Sequence, residues 1–156
     1  MRTLSIQQGR DKMIIREVLT LEEAQIVRDI RNSMRNYMTR NAAFVSSAQQ
    51  KVWFEALKHS NDKLFLYYDD NHASIGYGLW RLGGALAWGT LALKEEYHNQ
   101  GYGTEIYKHL ISLNGELWIE IFSDNRPSLI AAMKAGFDII DIRDKIVILR
   151  ATKENK

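Results

Sequence analysis

Hydrophobic positions along this chain recur with two periods, and the changes of period predict its secondary structure. Ala24, Val27, Ile30 and Met34 have the spacing of one helix face, and Thr20–Glu23 before them has the form of a capping box. Further helices are predicted at about residues 46–59, at 101–113 and up to 135. Short apolar or alternating runs bounded by turn residues predict strands. These strands are Met13–Val18, Lys63–Tyr68, Ser74–Leu82, Ala85–Lys94, Leu117–Phe122, Phe137–Ile142 and Lys145–Ala151.

The predicted order of elements is β-α-α-β-β-β-α-β-α-β-β, so that antiparallel strands come first and a βαβ-like unit follows. Gly83–Gly84 has the composition of a two-residue hairpin turn, and Gly89 inside the next strand indicates a bulge or a kink. Residues 1–12 are expected to be a loose extension, and residues 13–156 are expected to form a single domain.

Composition restricts the classes of chemistry that this chain can perform. Its 156 residues are 46% hydrophobic, which is enough for a core without disulfides or structural metal. The absence of cysteine excludes a thiolate nucleophile and a cysteine-based zinc site, and it fits a cytoplasmic protein. The most apolar long stretch, Ser74–Leu93, contains Arg81 and five glycines, so no membrane helix is expected. A net charge of +2 neither demands nor excludes an anionic partner.

The segment that carries candidate chemistry runs from the end of the fourth predicted strand into the third predicted helix. Gly101 and Gly103 open that helix, where backbone N–H groups and the positive end of the dipole attract anions. Glycines also let a backbone approach a phosphate closely. Taken alone, the two glycines favour a tight turn into a packed helix. They form neither a dinucleotide-binding fingerprint nor a Walker loop.

The wider pattern resembles the GCN5-related N-acetyltransferase (GNAT) family. The family's signature Arg/Gln-x-x-Gly-x-Gly/Ala after the fourth strand matches His98, Gly101 and Gly103. A second family signature, Asn-x-x-Ser/Ala and a short helix that ends in Lys-x-Gly-Phe, matches Asn125, Ser128, Lys134, Gly136 and Phe137. The spacing of the two signatures and the order of elements agree with the family over about residues 13–151.

This resemblance implies an α/β (α+β) GNAT fold. Its mixed central sheet would have about six to seven strands, with helices on both faces and a splay between strands 4 and 5. It also implies acetyl-CoA as the cofactor. Backbone groups of Leu91 and Leu93 would pair with the pantetheine arm, and the N–H groups of Asn99–Thr104 would hold the pyrophosphate. The cofactor-binding residues implied are Leu91, Leu93, His98, Asn99, Gln100, Gly101, Tyr102, Gly103, Thr104 and Asn125.

The implied reaction is direct acetyl transfer to a primary amine of a small molecule, an amino sugar or a protein N-terminus. The N–H of Leu93 would polarise the thioester carbonyl. Ala132 stands where many members have a tyrosine that protonates the leaving thiolate. Many members carry the base on the fourth strand, but Ala85–Leu93 contains no carboxylate, so Glu120 on the fifth strand is the candidate base, or else a surface carboxylate. Ser128 and Tyr102 are candidate proton donors, and the other interpretation of Ser128 is an ordinary first-turn helix residue.

Acceptor binding is the least determined part of the prediction. Arg31, Asn32 and Trp88 are candidate substrate contacts, and a solvated helix face is the alternative for Arg31 and Asn32. Trp53–Phe54 resembles a pair found in acetyltransferases of ribosomal-protein N-termini, whereas Arg31–Asn32 resembles acetyltransferases of amino sugars. No metal site, membrane or nucleic-acid partner is expected, and the chain is expected to be a monomer or homodimer. A non-catalytic acyl-CoA-binding or interaction module on the same fold is the alternative function.

Overall fold

A computed structural model of the chain describes residues 3–8 and 11–153. Its strands are β1 (Thr3–Gln8), β2 (Asp11–Glu17), β3 (Lys63–Tyr68), β4 (Ser74–Gly83), β5 (Leu86–Leu93), β6 (Glu116–Phe122), β7 (Asp138–Arg143) and β8 (Ile146–Thr152). Its α-helices are α1 (Leu21–Ser33), α2 (Ser47–Leu57), α3 (Tyr102–Ser112) and α4 (Arg126–Lys134). Short 3₁₀ turns lie at Arg35–Tyr37 and Glu95–Tyr97.

In the described part of the chain, all strands join one eight-stranded sheet in the order β1-β2-β3-β4-β5-β6-β8-β7. Neighbouring strands are antiparallel except β5 and β6, which are parallel. The mixed sheet predicted from the sequence is confirmed, with eight strands instead of six to seven. The predicted fourth and fifth strands correspond to β5 and β6, because β1 adds a strand at the N-terminal edge.

The prediction of a loose extension over residues 1–12 is wrong for its described residues. Thr3–Gln8 pairs with β2 in a continuous antiparallel register, from Thr3 opposite Arg16 to Gln8 opposite Asp11. The physical reason is that β2 would otherwise leave a row of unpaired backbone N–H and C=O groups at the sheet edge. The sequence of this segment also alternates polar and apolar residues, as a strand does.

Helices cover both faces of the sheet and divide the core in two. Successive residues of a strand point to opposite faces, so Leu64 and Leu66 of β3 pack with α1 and α2, while Phe65 and Tyr67 pack on the side of α3. Gln50 is buried and donates from Nε2 to the carbonyl of Ala24 at 2.7 Å, which ties α2 to α1.

The predicted capping box is confirmed. Thr20 accepts from the Glu23 amide, and the Glu23 carboxylate accepts from the Thr20 amide in return. The same arrangement at Ser46 and Gln49 begins α2. The hairpin between β4 and β5 lies one residue further on than predicted, because Gly83 still pairs with Leu86 in the ladder.

Gly89 lies where β5 and β6 come close together. Its pairing with Trp80 is regular, so the ladder between β4 and β5 has no bulge there. A Cβ at Gly89 would lie 2.8 Å from Cδ2 of Leu117, which is closer than real Cβ contacts. Glycine therefore lets β6 approach β5 closely at the point where the two strands begin to separate.

Candidate active site

The gap between β5 and β6 is the feature from which the site is built. Within the described residues, these strands are paired only at Trp88 and Trp118, so β5 has an open edge beyond that point. Lys94 donates its amide to the carbonyl of Ile75 at 2.9 Å in the pairing with β4. Because hydrogen-bonding direction alternates along a strand, Leu91 and Leu93 turn their backbone groups toward the gap. The predicted splay is therefore confirmed.

A cavity of about 400 Å³ lies at this open edge, between β5, the start of α3 and α4. We call it the first cavity. It is lined by all the predicted cofactor-binding residues except Gln100 and Tyr102. The side chain of Gln100 is turned back to donate to the carbonyl of Glu96 at 2.8 Å. That of Tyr102 is buried edge-on against Tyr97.

The turn into α3 has a backbone shape that suits an anion. Asn99 has φ 62° and Gly101 has φ 89°, so two residues of the loop are left-handed. Glu105 donates its amide to the carbonyl of Gly101, and the amides of Gly103 and Thr104 lie in the first turn of the helix. First-turn N–H groups have no acceptor within a helix and point toward whatever lies before it.

The two glycines of this loop have different structural roles. Gly101 supplies the left-handed conformation, which side chains disfavour. Gly103 permits close packing, because a Cβ there would lie 3.3 Å from the Cβ of Ala131 on α4. Thr104 reinforces this contact by donating from Oγ1 to the carbonyl of Ala131 at 3.1 Å. Gly103 thus lets α3 pack closely against α4, while both glycines line the first cavity.

His98 closes one end of the open strand edge. Its Nε2 lies 3.0 Å from the carbonyl oxygen of Leu93, and its ring packs edge-on against Tyr37. The Leu93 carbonyl is therefore already engaged by this side chain. From the sequence, both backbone groups of Leu93 are expected to be available to a bound ligand. In the structure, only the Leu93 N–H remains a candidate donor.

A second, wider cavity of about 850 Å³ opens between α1, α2, β4, β5 and β6. The residues that line both cavities are Tyr37, Met38, Leu91, Tyr107, Asn125 and Ser128. The two cavities therefore meet at one place, which we call the junction.

Glu120 faces the second cavity and is held by an arginine. Its side chain is 13% exposed, and both carboxylate oxygens accept from Arg40, at 2.8 Å from Nε and 2.8 Å from Nη2. The Arg40 side chain is 79% exposed. The hydrogen bond and negative charge of Glu120 raise the pKa of Arg40. Glu120 is thus a lining residue of the cavity whose oxygens are engaged, and not an outward-facing surface carboxylate.

Two hydroxyl groups lie together at the junction. The Tyr107 hydroxyl and Ser128 Oγ are 2.9 Å apart and are hydrogen-bonded, with either able to donate. Burial raises the pKa of Tyr107 to about 12, while the bond to Ser128 acts in the opposite direction. The prediction named Ser128 and missed Tyr107. Its position one turn after Gly103 puts it on the face of α3 that packs against α4, and this spacing is the signal that could have found it.

Arg31 and Asn32 of α1 fasten the loop that precedes α2. The Asn32 amide both donates to and accepts from the backbone of Val45, at 2.8 and 2.9 Å. Arg31 donates to the carbonyl oxygens of Asn41 and Ala43. The prediction of Asn32 as a substrate contact is therefore replaced by a structural role, and in the described part of the chain Asn32 lines neither cavity. Arg31 lines the second cavity, as does Trp88.

Comparison with known protein families shows which family this chain belongs to. The family described as the acetyltransferase (GNAT) family matches residues 27–137, well over half of the chain. The chain belongs to this family. The resemblance stated from the two signatures is thereby confirmed, although the subgroup remains a prediction. No curated protein sequence matches the GNAT chain significantly.

Solved structures of similar fold include acetyltransferases with different acceptors. One is a spermidine N-acetyltransferase from Vibrio cholerae in complex with CoA and spermine, with a TM-score of 0.78 and 13% sequence identity. The match covers 92% of this chain and 96% of the acetyltransferase chain. AAC(6')-Ib in complex with ribostamycin and coenzyme A gives 0.76 at 14%, with 92% and 94% covered. A phosphinothricin acetyltransferase from Sinorhizobium meliloti, in complex with AcCoA, gives 0.72 at 13%, with 88% and 86% covered.

Within this GNAT chain, Ala132 is fully buried on α4, so a methyl group stands at the family's tyrosine position. Across the described residues, no cluster of three or more histidine or carboxylate side chains is arranged to hold a metal ion. No helix in that part of the chain is long and apolar enough to cross a bilayer. His109 is buried in the core, where its ring is hydrogen-bonded to Tyr67.

Proposed function

We propose that this chain is an N-acetyltransferase that moves an acetyl group from acetyl-CoA directly to a primary amine. The acceptor is a small molecule, an amino sugar or a protein N-terminus. The observation that carries the proposal is the junction, where a narrow cavity along an open strand edge meets a wide cavity lined by polar side chains. This is the geometry that direct transfer between two bound substrates needs.

The first cavity has the features that acetyl-CoA requires. The backbone of Leu91 offers an N–H and a C=O to an extended amide-containing arm, as an added strand would receive them. The turn at Asn99–Thr104 offers amide groups at a helix start to the pyrophosphate. Asn125, which lines both cavities, is positioned to bond the arm near its reactive end.

Acetyl-CoA supplies a thioester whose carbonyl carbon accepts the amine. The Leu93 N–H, turned toward the gap, is the proposed donor to the carbonyl oxygen, on which negative charge develops. Such a donor acts strongly because it is fixed by the pairing of β5 with β4 before the substrate arrives.

The second cavity is the proposed acceptor site. Among the described residues that line it, Glu120 is the only carboxylate, so it is the proposed group that takes a proton from an ammonium acceptor. Arg40 must leave Glu120 for this to happen, because it donates to both oxygens. Trp88 and Arg31 are proposed acceptor contacts, and Trp53 of the predicted subgroup pair lines the same cavity.

Two measurements on the purified chain test the proposal. Isothermal titration should detect acetyl-CoA binding, and absence of binding at high micromolar concentrations would overturn the proposal. Release of free CoA thiol should then be followed over a panel of amines: spermine, ribostamycin, phosphinothricin, an amino sugar and a peptide with a free N-terminus. Turnover of one class identifies the acceptor.

The two hydrogen bonds that Glu120 accepts from Arg40 favour one alternative function. If Arg40 never leaves Glu120, the chain binds acyl-CoA without transferring its acyl group, as an interaction module does. The same two measurements separate these functions. Binding with no turnover of any amine supports the module, whereas binding with turnover excludes it.

A further inference from the structure

Tyr107 and Ser128 come from different helices but present adjacent hydroxyls at the junction. Tyr107 is on α3 and Ser128 is in the first turn of α4, and their oxygens are 2.9 Å apart. Both residues line the first cavity and the second cavity. This pair of hydroxyls therefore lies where the acetyl donor and the amine acceptor must meet.

The position of Tyr107 is fixed by the contact between the two helices. Its ring packs edge-on against Phe137, with ring centroids 5.3 Å apart, and its hydroxyl is bonded to Ser128. Gly103 and Thr104, one turn earlier on α3, hold this helix against Ala131 of α4. These contacts hold the ring between α3 and α4, and the hydroxyl points to Ser128 in the first turn of α4.

Helix α4 does not carry the proton donor that many members of the family place on it. The family's tyrosine position on α4 is Ala132, which is fully buried and has no dissociable proton. Tyr107 and Ala132 belong to the same buried cluster. A tyrosine hydroxyl is therefore present near this part of α4, but it is supplied by α3.

We propose that the hydroxyls of Ser128 and Tyr107 form a proton relay between the attacking amine and the departing sulfur of the donor. This inference rests on the proposed acetyl transfer. As the nitrogen bonds to the carbonyl carbon and the carbon–sulfur bond breaks, the nitrogen loses a proton to Ser128 Oγ. Ser128 passes its own proton to the Tyr107 oxygen, and Tyr107 passes its proton to sulfur. Each hydroxyl gains one proton and loses one, so both end the step neutral.

The high pKa of Tyr107 suits a relay with Ser128 better than proton donation by Tyr107 alone. Because burial raises the pKa of Tyr107 to about 12, the hydroxyl keeps its proton at neutral pH and a free tyrosinate is disfavoured. A thiol has an ordinary pKa of about 8.5, so a full transfer from Tyr107 to sulfur alone would be uphill. Replacement of the Tyr107 proton by that of Ser128 in the same step removes this difficulty.

Two single variants and their double variant test the relay by steady-state kinetics with the best acceptor. Tyr107→Phe keeps the ring packing, and Ser128→Ala removes the partner hydroxyl. Each should lower kcat by about 100-fold, the usual contribution of a positioned acid or base. Acetyl-CoA affinity, measured by titration, should stay unchanged. The double variant should be no slower than either single variant, because the hydroxyls act as one unit. Ser128→Thr, which retains a hydroxyl, should keep most of the activity.

Tyr67→Phe is the matched control. It also removes a buried, hydrogen-bonded tyrosine hydroxyl, but Tyr67 is bonded to His109 away from both cavities. It should lower thermal stability and leave kcat within about twofold of the wild type. Thermal unfolding of each variant checks its folding, and Ser128→Ala, on a partly exposed first turn, keeps the test available if Tyr107→Phe is unstable.

Three outcomes would overturn the relay. They are a kcat for Tyr107→Phe within about twofold of the wild type, a multiplicative loss in the double variant, or a loss confined to KM. Those outcomes leave the proposed acetyl transfer intact because the wild type is active. A wild-type chain that transfers acetyl to no amine overturns the proposed function, and the relay with it.

Discussion

His109 is a buried histidine whose titration should make the fold sensitive to mild acid. It is 8% exposed, and its Nδ1 is hydrogen-bonded to the Tyr67 hydroxyl at 2.8 Å. Burial lowers the pKa of His109 from 6.5 to about 4. A group with a lower pKa in the folded than in the unfolded chain takes its proton preferentially in the unfolded chain. Stability therefore falls as the pH drops below 6.5, and the loss is complete below about 4.

The magnitude follows from the two pKa values. At pH 7 both states are mainly neutral, so little stability is lost. At pH 5 the unfolded histidine is almost fully protonated and the folded one is almost entirely neutral. The difference corresponds to a loss of about 2 kcal/mol between pH 7 and pH 5. For a chain of this size, such a loss is a substantial part of the free energy of unfolding.

Urea unfolding at pH 7, 6 and 5, followed by tryptophan fluorescence, measures this loss. The midpoint should fall by about 1 M between pH 7 and pH 5, since small proteins lose about 1–3 kcal/mol per molar urea. His109→Gln does not titrate in this range and should lose most of the pH dependence. The lowered pKa values of Asp69 and Asp141 act mainly at more acidic pH, below the ordinary aspartate value of 3.8. A wild-type midpoint that does not change, or a full pH dependence in His109→Gln, would refute the reasoning.

Three further predictions follow from the geometry of the site. Gly101→Ala forces a side chain onto a backbone with φ 89° and should weaken acetyl-CoA binding about tenfold in titration. The control Gly84→Ala, at φ 68° on the hairpin between β4 and β5, should leave binding unchanged. If Glu120 is the base, Glu120→Gln should lower kcat by about 100-fold, whereas Arg40→Gln should not lower it to that extent. Equal turnover by the two variants would exclude Glu120 as the base. Gly89→Val should lower the free energy of unfolding by about 1–3 kcal/mol in urea, because its Cβ would press on the neighbouring strand, and unchanged stability would contradict that packing.

Much of the local structure was predictable from the sequence because its signals are short-range. The capping box Thr20–Glu23 needs only neighbours three residues apart, and it begins α1 as predicted. The turn at Asn99–Thr104 is likewise encoded locally by its glycines, and it leads into α3 at the predicted place. The order of the helices and of the strands after β1 followed from hydrophobic periodicity and turn residues.

Tertiary structure alone decided which side chains meet. Thr3–Gln8 becomes an edge strand only through its pairing with the otherwise open edge of β2. Arg40 and Glu120 are separated by 80 residues, and no sequence period relates a loop after α1 to a position on β6. Tyr107 and Ser128 meet only because α3 and α4 pack on the same face of the sheet. By itself, the sequence determined most of the helices and strands and the turn at Asn99–Thr104. Side-chain partners, and with them the proposed acid–base chemistry, were set by packing between distant segments.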